Sequence, residues 1–240
     1  MVAVVIGASG TIGEACVNQF LLEDVDVIAL DVIEPSIDGS TNLTMDVTNR
    51  ESVREVLNSI SAKHEVSALV YAAGVNTTGP LDVLDWSDYD KVMAVNLRGA
   101  FHVAAELEIL MNHHPRSLGA VFISSTAGLR GEPGGSVYVA SKFGLRGLVE
   151  SFAGEIAPHG GRANTVCPGN VESTMLSQLA EKFALRQNIS VNEVMTQLEA
   201  SSAFQRLITP QEVAHTCVWL CSEKASGISG QTIVVDGAPV

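Results

Sequence analysis

Three side chains in the middle of the sequence have types and spacing that suit proton transfer. Tyr138 and Lys142 are four residues apart, so on a helix they share one face. An ammonium group beside a phenol favours the phenolate and lowers the phenol pKa from its usual value of about 10. Ser125 follows the apolar segment 120–123, which places its hydroxyl at a strand's carboxyl end, where open parallel sheets bind ligands. The pattern indicates a general acid/base, although a Tyr and a Lys at this spacing are usually an ordinary surface pair.

The N-terminal part has the order strand, glycine-rich turn, helix, strand and acidic residue. Residues 2–6 form an apolar run, and a second apolar run ends at Asp31. Between them lie a helical pattern and, before it, the glycines Gly7, Gly10 and Gly13. Glycines let the backbone approach a pyrophosphate, and a helix N-terminus supplies N–H donors to it. The order predicts a dinucleotide-binding site, whereas a glycine motif alone could be only a tight turn.

With these motifs in place, the chain resembles the short-chain dehydrogenase/reductase family over nearly its whole length. Several other segments carry the resemblance at the family's spacing. They are Asp46–Val47, Tyr71–Gly74, Val95–Gly99, Pro168–Gly169 followed by Ser173 and Thr174, and Val234–Gly237. No single motif is specific, but their order together is.

Three features depart from the family's usual pattern. Thr11 stands where the shorter members usually have a glycine. Tyr71 replaces the first Asn of the family's Asn-Asn-Ala-Gly segment, so the hydrogen bonds of that Asn must be made otherwise. Residues 32–41 read as loop, so we expect the usual crossover helix between parallel strands to be missing there. None of the three touches the catalytic residues.

The resemblance implies an oxidoreductase that transfers a hydride between a nicotinamide cofactor and a carbon bearing oxygen. Tyr138 would be the acid/base, and Lys142 would favour its phenolate and bind the nicotinamide ribose. Ser125 would orient the substrate oxygen, and Asn96 would hold a helix and a water beside Lys142. The implied cofactor contacts are Gly7, Ser9, Gly10, Thr11, Ile12, Gly13, Asp31, Asp46, Val47, Ala72, Ala73, Gly74, Asn96, Tyr138, Lys142, Pro168, Gly169 and Val171.

Asp31 predicts that the cofactor is NAD. A carboxylate at the end of the second strand can bond both hydroxyls of the adenosine ribose. It would repel a 2′-phosphate by about 4 kcal/mol at ~4 Å and an effective dielectric of ~20. Positions 8, 9 and 32 carry no compensating Arg or Lys. We further expect Asp46 to accept from the adenine amine and Val47 to pack on the ring, although Asp46 could instead be a turn residue.

Alternating strand and helix patterns predict a single doubly wound α/β (Rossmann) domain over residues 1–240, with a seven-stranded parallel sheet and helices on both faces. Capping-box spacing supports three helix starts, at Thr48 with Glu51, Ser190 with Glu193, and Thr209 with Glu212. Strands are predicted near 2–6, 26–30, 42–45, 67–71, 119–124, 162–167 and 231–235, and helices near 11–22, 49–62, 87–112, 136–157, 174–200 and 210–222. The helical segment near 173–207 is predicted to be a substrate lid, with an ordinary helical hairpin as the alternative.

Composition excludes several classes of protein. With 46% hydrophobic and 17% charged residues, the chain can bury a large core and is not disordered. No apolar run reaches the ~20 residues that a membrane span needs, and the sequence starts directly in a strand, so we expect a soluble cytoplasmic protein. A net charge of −13 disfavours nucleic acid and anionic membranes as partners. The four cysteines form no metal or disulfide pattern, so we expect buried thiols and no metal site.

The substrate and partners stay open at this stage. We expect a small-molecule alcohol or ketone in a cavity lined by Thr126, Gly128, Arg130, Gly135, Ser136 and Asn170. Arg130 would suit a carboxylate, but such an Arg is more often solvated. The resemblance also implies a homotetramer, in which the Tyr138 helix and its neighbour over 87–112 pair across one two-fold axis and the C-terminal strand pairs across another. Two alternatives remain. One is a 3-oxoacyl-carrier-protein reductase-like enzyme, which Asp31 and the scattered cations disfavour. The other is a non-enzymatic dinucleotide-binding regulator, which the intact catalytic set disfavours.

Overall fold

Seven parallel strands form one sheet in the computed structural model, which describes residues 1–238. Their order across the sheet is β3-β2-β1-β4-β5-β6-β7. The strands are β1 (Val2–Ile6), β2 (Asp26–Asp31), β3 (Thr41–Thr44), β4 (Val66–Tyr71), β5 (Leu118–Ile123), β6 (Gly161–Pro168) and β7 (Thr232–Val235). The central strands are buried almost throughout, because helices cover both faces of the sheet.

The described residues also form eight α-helices. They are α1 (Thr11–Leu22), α2 (Arg50–Ser61), α3 (Trp86–Met93), α4 (Gly99–His113), α5 (Ser136–Ile156), α6 (Thr174–Gln187), α7 (Val191–Ala200) and α8 (Pro210–Cys221). Side chains such as Leu57, Leu107 and Phe152 place α2, α4 and α5 on one face of the sheet. Val17 and Val213 place α1 and α8 on the other face. The predicted doubly wound fold is therefore confirmed, and each predicted strand bound is met within one residue.

The strand order reverses between β1 and β4. Strands β2 and β3 extend the sheet on the β1 side, and β5, β6 and β7 extend it on the β4 side. A parallel sheet opens a crevice at the carboxyl ends of such a pair of strands, and ligands bind there. Residues 32–40 contain no helix between β2 and β3, as the loop prediction required. The crevice is thus bordered on the β2 side by a loop rather than by a crossover helix.

Three helix predictions were wrong in detail. The segment predicted as one helix over 87–112 contains a π-helical turn, Ala94–Arg98, between α3 and α4. The segment predicted over 174–200 divides into α6 and α7 at Asn188, whose φ of +54° is left-handed and ends α6. Asn49, not Thr48, caps α2, since its side chain accepts from the amides of Glu51 and Ser52. The other two capping boxes are present, at Ser190 and Thr209.

The four cysteines are free and buried, as expected. Within residues 1–238, no group of three or more His, Cys, Asp or Glu side chains is arranged to hold a metal ion. None of the helices in this part of the chain is long and apolar enough to cross a membrane.

Candidate active site

The glycine-rich turn between β1 and α1 is packed against the segment that follows β4. Gly7 has a left-handed φ of +80°, and a Cβ there would lie 2.4 Å from the amide nitrogen of Ala73. A Cβ on Gly13 would lie 2.0 Å from the carbonyl oxygen of Gly7. Both positions therefore require glycine, and they bring the backbone of the turn and the start of α1 to the crevice. This cradle fits the pyrophosphate of a dinucleotide.

Thr11 stands at the first residue of α1, where the family usually has a glycine. It lines a cavity of about 410 Å³ together with Gly10, Ile12 and Gly13 on one side. Ala72 and Gly74 line the same cavity from the end of β4. Four of the predicted glycine-turn contacts, Gly10, Thr11, Ile12 and Gly13, therefore border one space. Gly7 lines a neighbouring cavity instead, and the backbone amide of Ser9 donates to Asp31.

Asp31 ends β2 beside a second cavity of about 440 Å³, which adjoins the first. Its carboxylate accepts hydrogen bonds from the amide of Ser9 at 3.0 Å and from the amide of Val32 at 2.7 Å. These bonds hold the carboxylate at the rim of the cavity. Lys91 of α3 lines both cavities and is a cation near this site that the sequence analysis did not single out.

Asp46 and Val47 form part of the wall of the second cavity, with Ala73 and Gly74 opposite. The Asp46 Oδ1 atom accepts from the amide of Thr48 at 2.9 Å and from its hydroxyl at 2.7 Å. Asp46 therefore is a turn residue, the alternative considered from the sequence, and it also borders the space into which an adenine would fit.

Ser125, Tyr138 and Lys142 line a third cavity, of about 170 Å³, which shares Ala72 and Gly74 with the first. Ser125 follows β5 and caps a short 3₁₀ turn, accepting from the amide of Ala127 at 3.1 Å. Tyr138 and Lys142 lie on the first turns of α5, as their spacing predicted. The other wall of this cavity includes the predicted contacts Pro168, Gly169 and Val171 after β6.

Lys142 is buried, with 3% of its surface exposed. Its Nζ donates to the carbonyl oxygen of Ile123 at 2.8 Å and lies 5.5 Å from the centroid of the Tyr138 ring. Burial lowers the pKa of the Lys142 ammonium to about 8, because an apolar environment disfavours its charge.

Burial likewise raises the pKa of the Tyr138 phenol to about 12, because the charged form here is the phenolate. Its interaction with the Ser125 hydroxyl acts in the opposite direction, and the charge of Glu132 adds to the increase. The expectation that Lys142 lowers this pKa was wrong for the polypeptide by itself. The spacing of the pair was predicted correctly, but the depth at which the fold buries it was not.

Asn96 lies in the π-helical turn and is completely buried. Its Oδ1 accepts from the amide of Val75 at 2.8 Å, and its Nδ2 donates to the carbonyl of Val75 at 2.9 Å and to the hydroxyl of Ser141 at 3.1 Å. A Cβ on Gly74 would lie 3.5 Å from Lys142 Nζ and 3.6 Å from Asn96 Oδ1. Asn96 thus joins the β4 loop to α5 beside the Lys142 ammonium.

The substrate side of the cleft differs from the sequence-based expectation. Thr126 and Asn170 line the third cavity, but Gly128, Arg130, Gly135 and Ser136 do not. Arg130 is exposed, and the charged side chain that reaches the cavity from this loop is Glu132. Residue pattern alone does not distinguish Arg130 from Glu132, because the direction of each side chain depends on the fold of loop 129–135.

Helix α6 borders the third cavity. Met175, Leu176 and Leu179 line it, and Lys182 on the same helix lines the neighbouring glycine-turn cavity. The C-terminal end of α6 is joined to the opposite rim, because the Arg186 guanidinium donates to the hydroxyl of Thr78 at 3.3 Å. Residues of the segment predicted as a lid are therefore in contact with the site.

The chain is similar in sequence to several known proteins. A family model described as enoyl-(acyl carrier protein) reductase matches residues 7–237. A 3-oxoacyl-[acyl-carrier-protein] reductase of Thermotoga maritima is 30% identical over 251 residues, covering 100% of this chain and 97% of the relative. An A-factor type gamma-butyrolactone 1′-reductase of Streptomyces virginiae is 32% identical and covers 98% of this chain and 94% of that protein.

Solved structures of dehydrogenases are also similar to this chain. Sorbitol-6-phosphate 2-dehydrogenase from Erwinia amylovora superposes with a TM-score of 0.93 at 27% identity, covering 100% of this chain and 99% of that one. The aldohexose dehydrogenase of Thermoplasma acidophilum superposes with a TM-score of 0.88 at 28% identity, covering 98% and 91%. The names of these relatives span several substrates.

Proposed function

Because the chain belongs to the short-chain dehydrogenase/reductase family, we propose that it transfers a hydride between NAD(H) and a secondary alcohol or ketone of a small molecule. One observation carries this proposal. Ser125, Tyr138 and Lys142 line a single cavity that adjoins the glycine-turn cavity. A phenol, an ammonium and a hydroxyl therefore meet beside the place that suits a dinucleotide.

In the proposed reaction, each residue has a role at a stated atom. When bound, the nicotinamide ring accepts or supplies the hydride. The Tyr138 hydroxyl exchanges a proton with the substrate oxygen, and the Ser125 hydroxyl donates a hydrogen bond to that oxygen as negative charge develops on it. Lys142 holds positive charge near the phenol. The apolar side chains of α6 keep water from the reacting carbon.

The preference for NAD is supported by Asp31. Two hydrogen bonds from backbone amides hold its carboxylate at the edge of the second cavity, so the carboxylate cannot turn away without losing them. A 2′-phosphate at ~4 Å from it would be repelled by about 4 kcal/mol at an effective dielectric of ~20. That repulsion corresponds to roughly a thousandfold preference for NAD. Lys91 is the side chain that could reduce it, since it lines the same cavity.

The reaction is tested by screening secondary alcohols with NAD and ketones with NADH, following absorbance of NADH. Tyr138→Phe should abolish turnover and leave NAD binding intact, since only the hydroxyl is lost. Tyr89→Phe, on the partly exposed α3, is the matched control and should keep full activity. Turnover by Tyr138→Phe within tenfold of wild type would refute the acid/base assignment.

The cofactor is tested by titrating NAD and NADP against wild type and the double variant Asp31→Ala/Val32→Arg. Wild type should prefer NAD in kcat/KM by orders of magnitude, and the double variant should narrow or reverse that preference. Lys91→Met measures how much the neighbouring cation reduces the preference for NAD over NADP. Equal use of both cofactors by wild type would contradict the role given to Asp31.

A second candidate is a 3-oxoacyl-carrier-protein reductase-like activity, which the name of the Thermotoga maritima relative favours. It predicts reduction of a 3-oxoacyl thioester with NADPH preferred, the opposite of the Asp31 argument. The same titration, run with an acyl thioester, separates the two. Binding of NAD with no turnover of any alcohol, ketone or thioester would instead favour a dinucleotide-binding regulator.

We also propose a homotetramer. Phe101 on α4 and Phe143 on α5 are exposed by 51% and 42%, next to a groove lined by Leu148 and Phe152. Val234 on the edge strand β7 is 49% exposed, which suits pairing at a second surface. Pro239 and Val240, also part of the predicted C-terminal contact, lie outside the described residues. Light scattering at micromolar concentration tests this, and a monomeric mass would refute it.

A further inference from the structure

Tyr71 is the residue at which this chain departs from the family's Asn-Asn-Ala-Gly segment, and it is completely buried at the end of β4. Its ring stacks on Phe122 of β5, with 5.7 Å between the centroids. Its hydroxyl donates to the carbonyl oxygen of Val95 at 2.6 Å. The phenol therefore crosses from the sheet to the π-helical turn that carries Asn96.

The Val95 carbonyl, which accepts this hydrogen bond, has lost its regular backbone donor in the π-helical turn. In an α-helix the amide of residue 99 would donate to the carbonyl of residue 95. Here the amide of Gly99 donates instead to the carbonyl of Ala94, five residues back. A buried carbonyl needs a donor, and the Tyr71 hydroxyl replaces the one that the Val95 carbonyl has lost.

The glycine at position 99 makes room for the Tyr71 hydroxyl. A Cβ on Gly99 would lie 2.6 Å from the Tyr71 hydroxyl oxygen, so the glycine makes the space that the phenol uses. Burial raises the pKa of the Tyr71 phenol far above its usual range, which keeps it protonated and able to donate at every pH of interest. The donor is therefore permanent.

We propose that Tyr71 is a positioning residue, which fixes the π-helical turn and so aims the Asn96 carboxamide at Val75 and Ser141 beside Lys142. This inference rests on the proposed function. The extra residue in the turn rotates Asn96 relative to a regular helix, and the three bonds of its carboxamide depend on that rotation. Without the Tyr71 donor, the α-helical hydrogen-bond pattern becomes more favourable than the π-helical one, because the Gly99 amide then donates to the Val95 carbonyl.

The test is Tyr71→Phe, which removes only the hydroxyl. We expect kcat to fall about tenfold with the KM for NAD within twofold of wild type, because the substitution changes neither Asp31 nor the glycine turn, although Val95 itself lines the second cavity. We also expect faster hydrogen exchange at the Val75 amide, which donates to Asn96 Oδ1. The matched control is Phe122→Leu, which removes the stacked ring but leaves the hydroxyl on the Val95 carbonyl.

The Phe122→Leu control separates the loss of positioning of Asn96 from a general loss of stability. At a similar loss of melting temperature, Phe122→Leu should keep kcat within twofold and leave the Val75 amide protected. Equal falls in kcat for the two variants, or a Tyr71→Phe enzyme within twofold of wild type, would overturn the inference. Hydrogen exchange needs no substrate, so unchanged exchange at Val75 overturns it even where the wild-type protein proves inactive and the proposed function itself fails.

Discussion

Replacing Lys142 by Met should make the protein more stable while removing its activity. Lys142 carries its charge in an almost fully buried position, where its ammonium donates a hydrogen bond to the Ile123 carbonyl oxygen at 2.8 Å. Burial lowers its pKa from 10.5 to about 8. At about 1.4 kcal/mol per pKa unit, the buried charge costs about 3 kcal/mol of stability at neutral pH. Loss of the hydrogen bond offsets about 1 kcal/mol, so we expect a net gain of about 2 kcal/mol for Lys142→Met.

The sign of the pH dependence follows from the lowered pKa. Below pH 8 the lysine is protonated in both the folded and the unfolded protein, and the folded state bears the whole penalty. Between pH 8 and 10.5 the folded state releases the proton first, so the unfolded state holds more protons and stability rises with pH. Between pH 7 and pH 9 wild type should gain about 1 kcal/mol relative to Lys142→Met.

The assay is urea unfolding of both proteins at pH 7 and pH 9, compared as differences so that other titrating groups cancel. Lys63→Met, which removes an exposed lysine, is the matched control for the change in net charge. It should leave both the stability at pH 7 and its pH dependence close to wild type. Destabilisation by Lys142→Met at pH 7, or the same pH dependence in wild type and variant, would refute the argument from burial.

Three other predictions concern the loop after β5 and two helix ends. Ser125→Ala should lower kcat by roughly 10²–10³ with a smaller change in KM, because its hydrogen bond strengthens in the transition state; an unchanged kcat at saturating substrate would exclude Ser125 from the reaction. Thr209→Ala should lower the free energy of unfolding by about 1 kcal/mol, since Thr209 Oγ1 accepts from the amide of Glu212 at the start of α8; equal melting curves would contradict this. Asn188→Gly should raise the stability by a few tenths of a kcal/mol up to about 1, because Asn188 is left-handed at φ +54°, and any loss of stability would count against it.

The central strands β1, β4 and β5 could be predicted because their burial on both faces leaves an almost uninterrupted apolar pattern. The glycine turn could be predicted because Gly7 and Gly13 are needed for close backbone approach, which local spacing expresses. The π-helical turn could not, because it depends on the contact between Tyr71 and Val95, 24 residues apart in the chain. The break between α6 and α7 has a local signal, because the Ser190 capping box begins a new helix two residues after Asn188.

The pKa values of Tyr138 and Lys142 could not be predicted for a different reason. Spacing on a helix fixes which groups are neighbours, but not how deeply they lie. Burial acts on both groups in the direction of neutrality, raising the pKa of Tyr138 to about 12 and lowering that of Lys142 to about 8. The polypeptide alone therefore favours a protonated phenol, the form that donates a proton to a ketone oxygen. For alcohol oxidation the phenol must lose that proton, and a positively charged oxidised nicotinamide nearby would favour the loss. In the proposed function, the oxidative direction should accordingly gain rate as pH rises through the alkaline range, whereas reduction should not, and initial rates in both directions from pH 6 to 10 measure the difference. A parallel pH dependence in the two directions would show that Tyr138 is not the group whose proton limits the reaction.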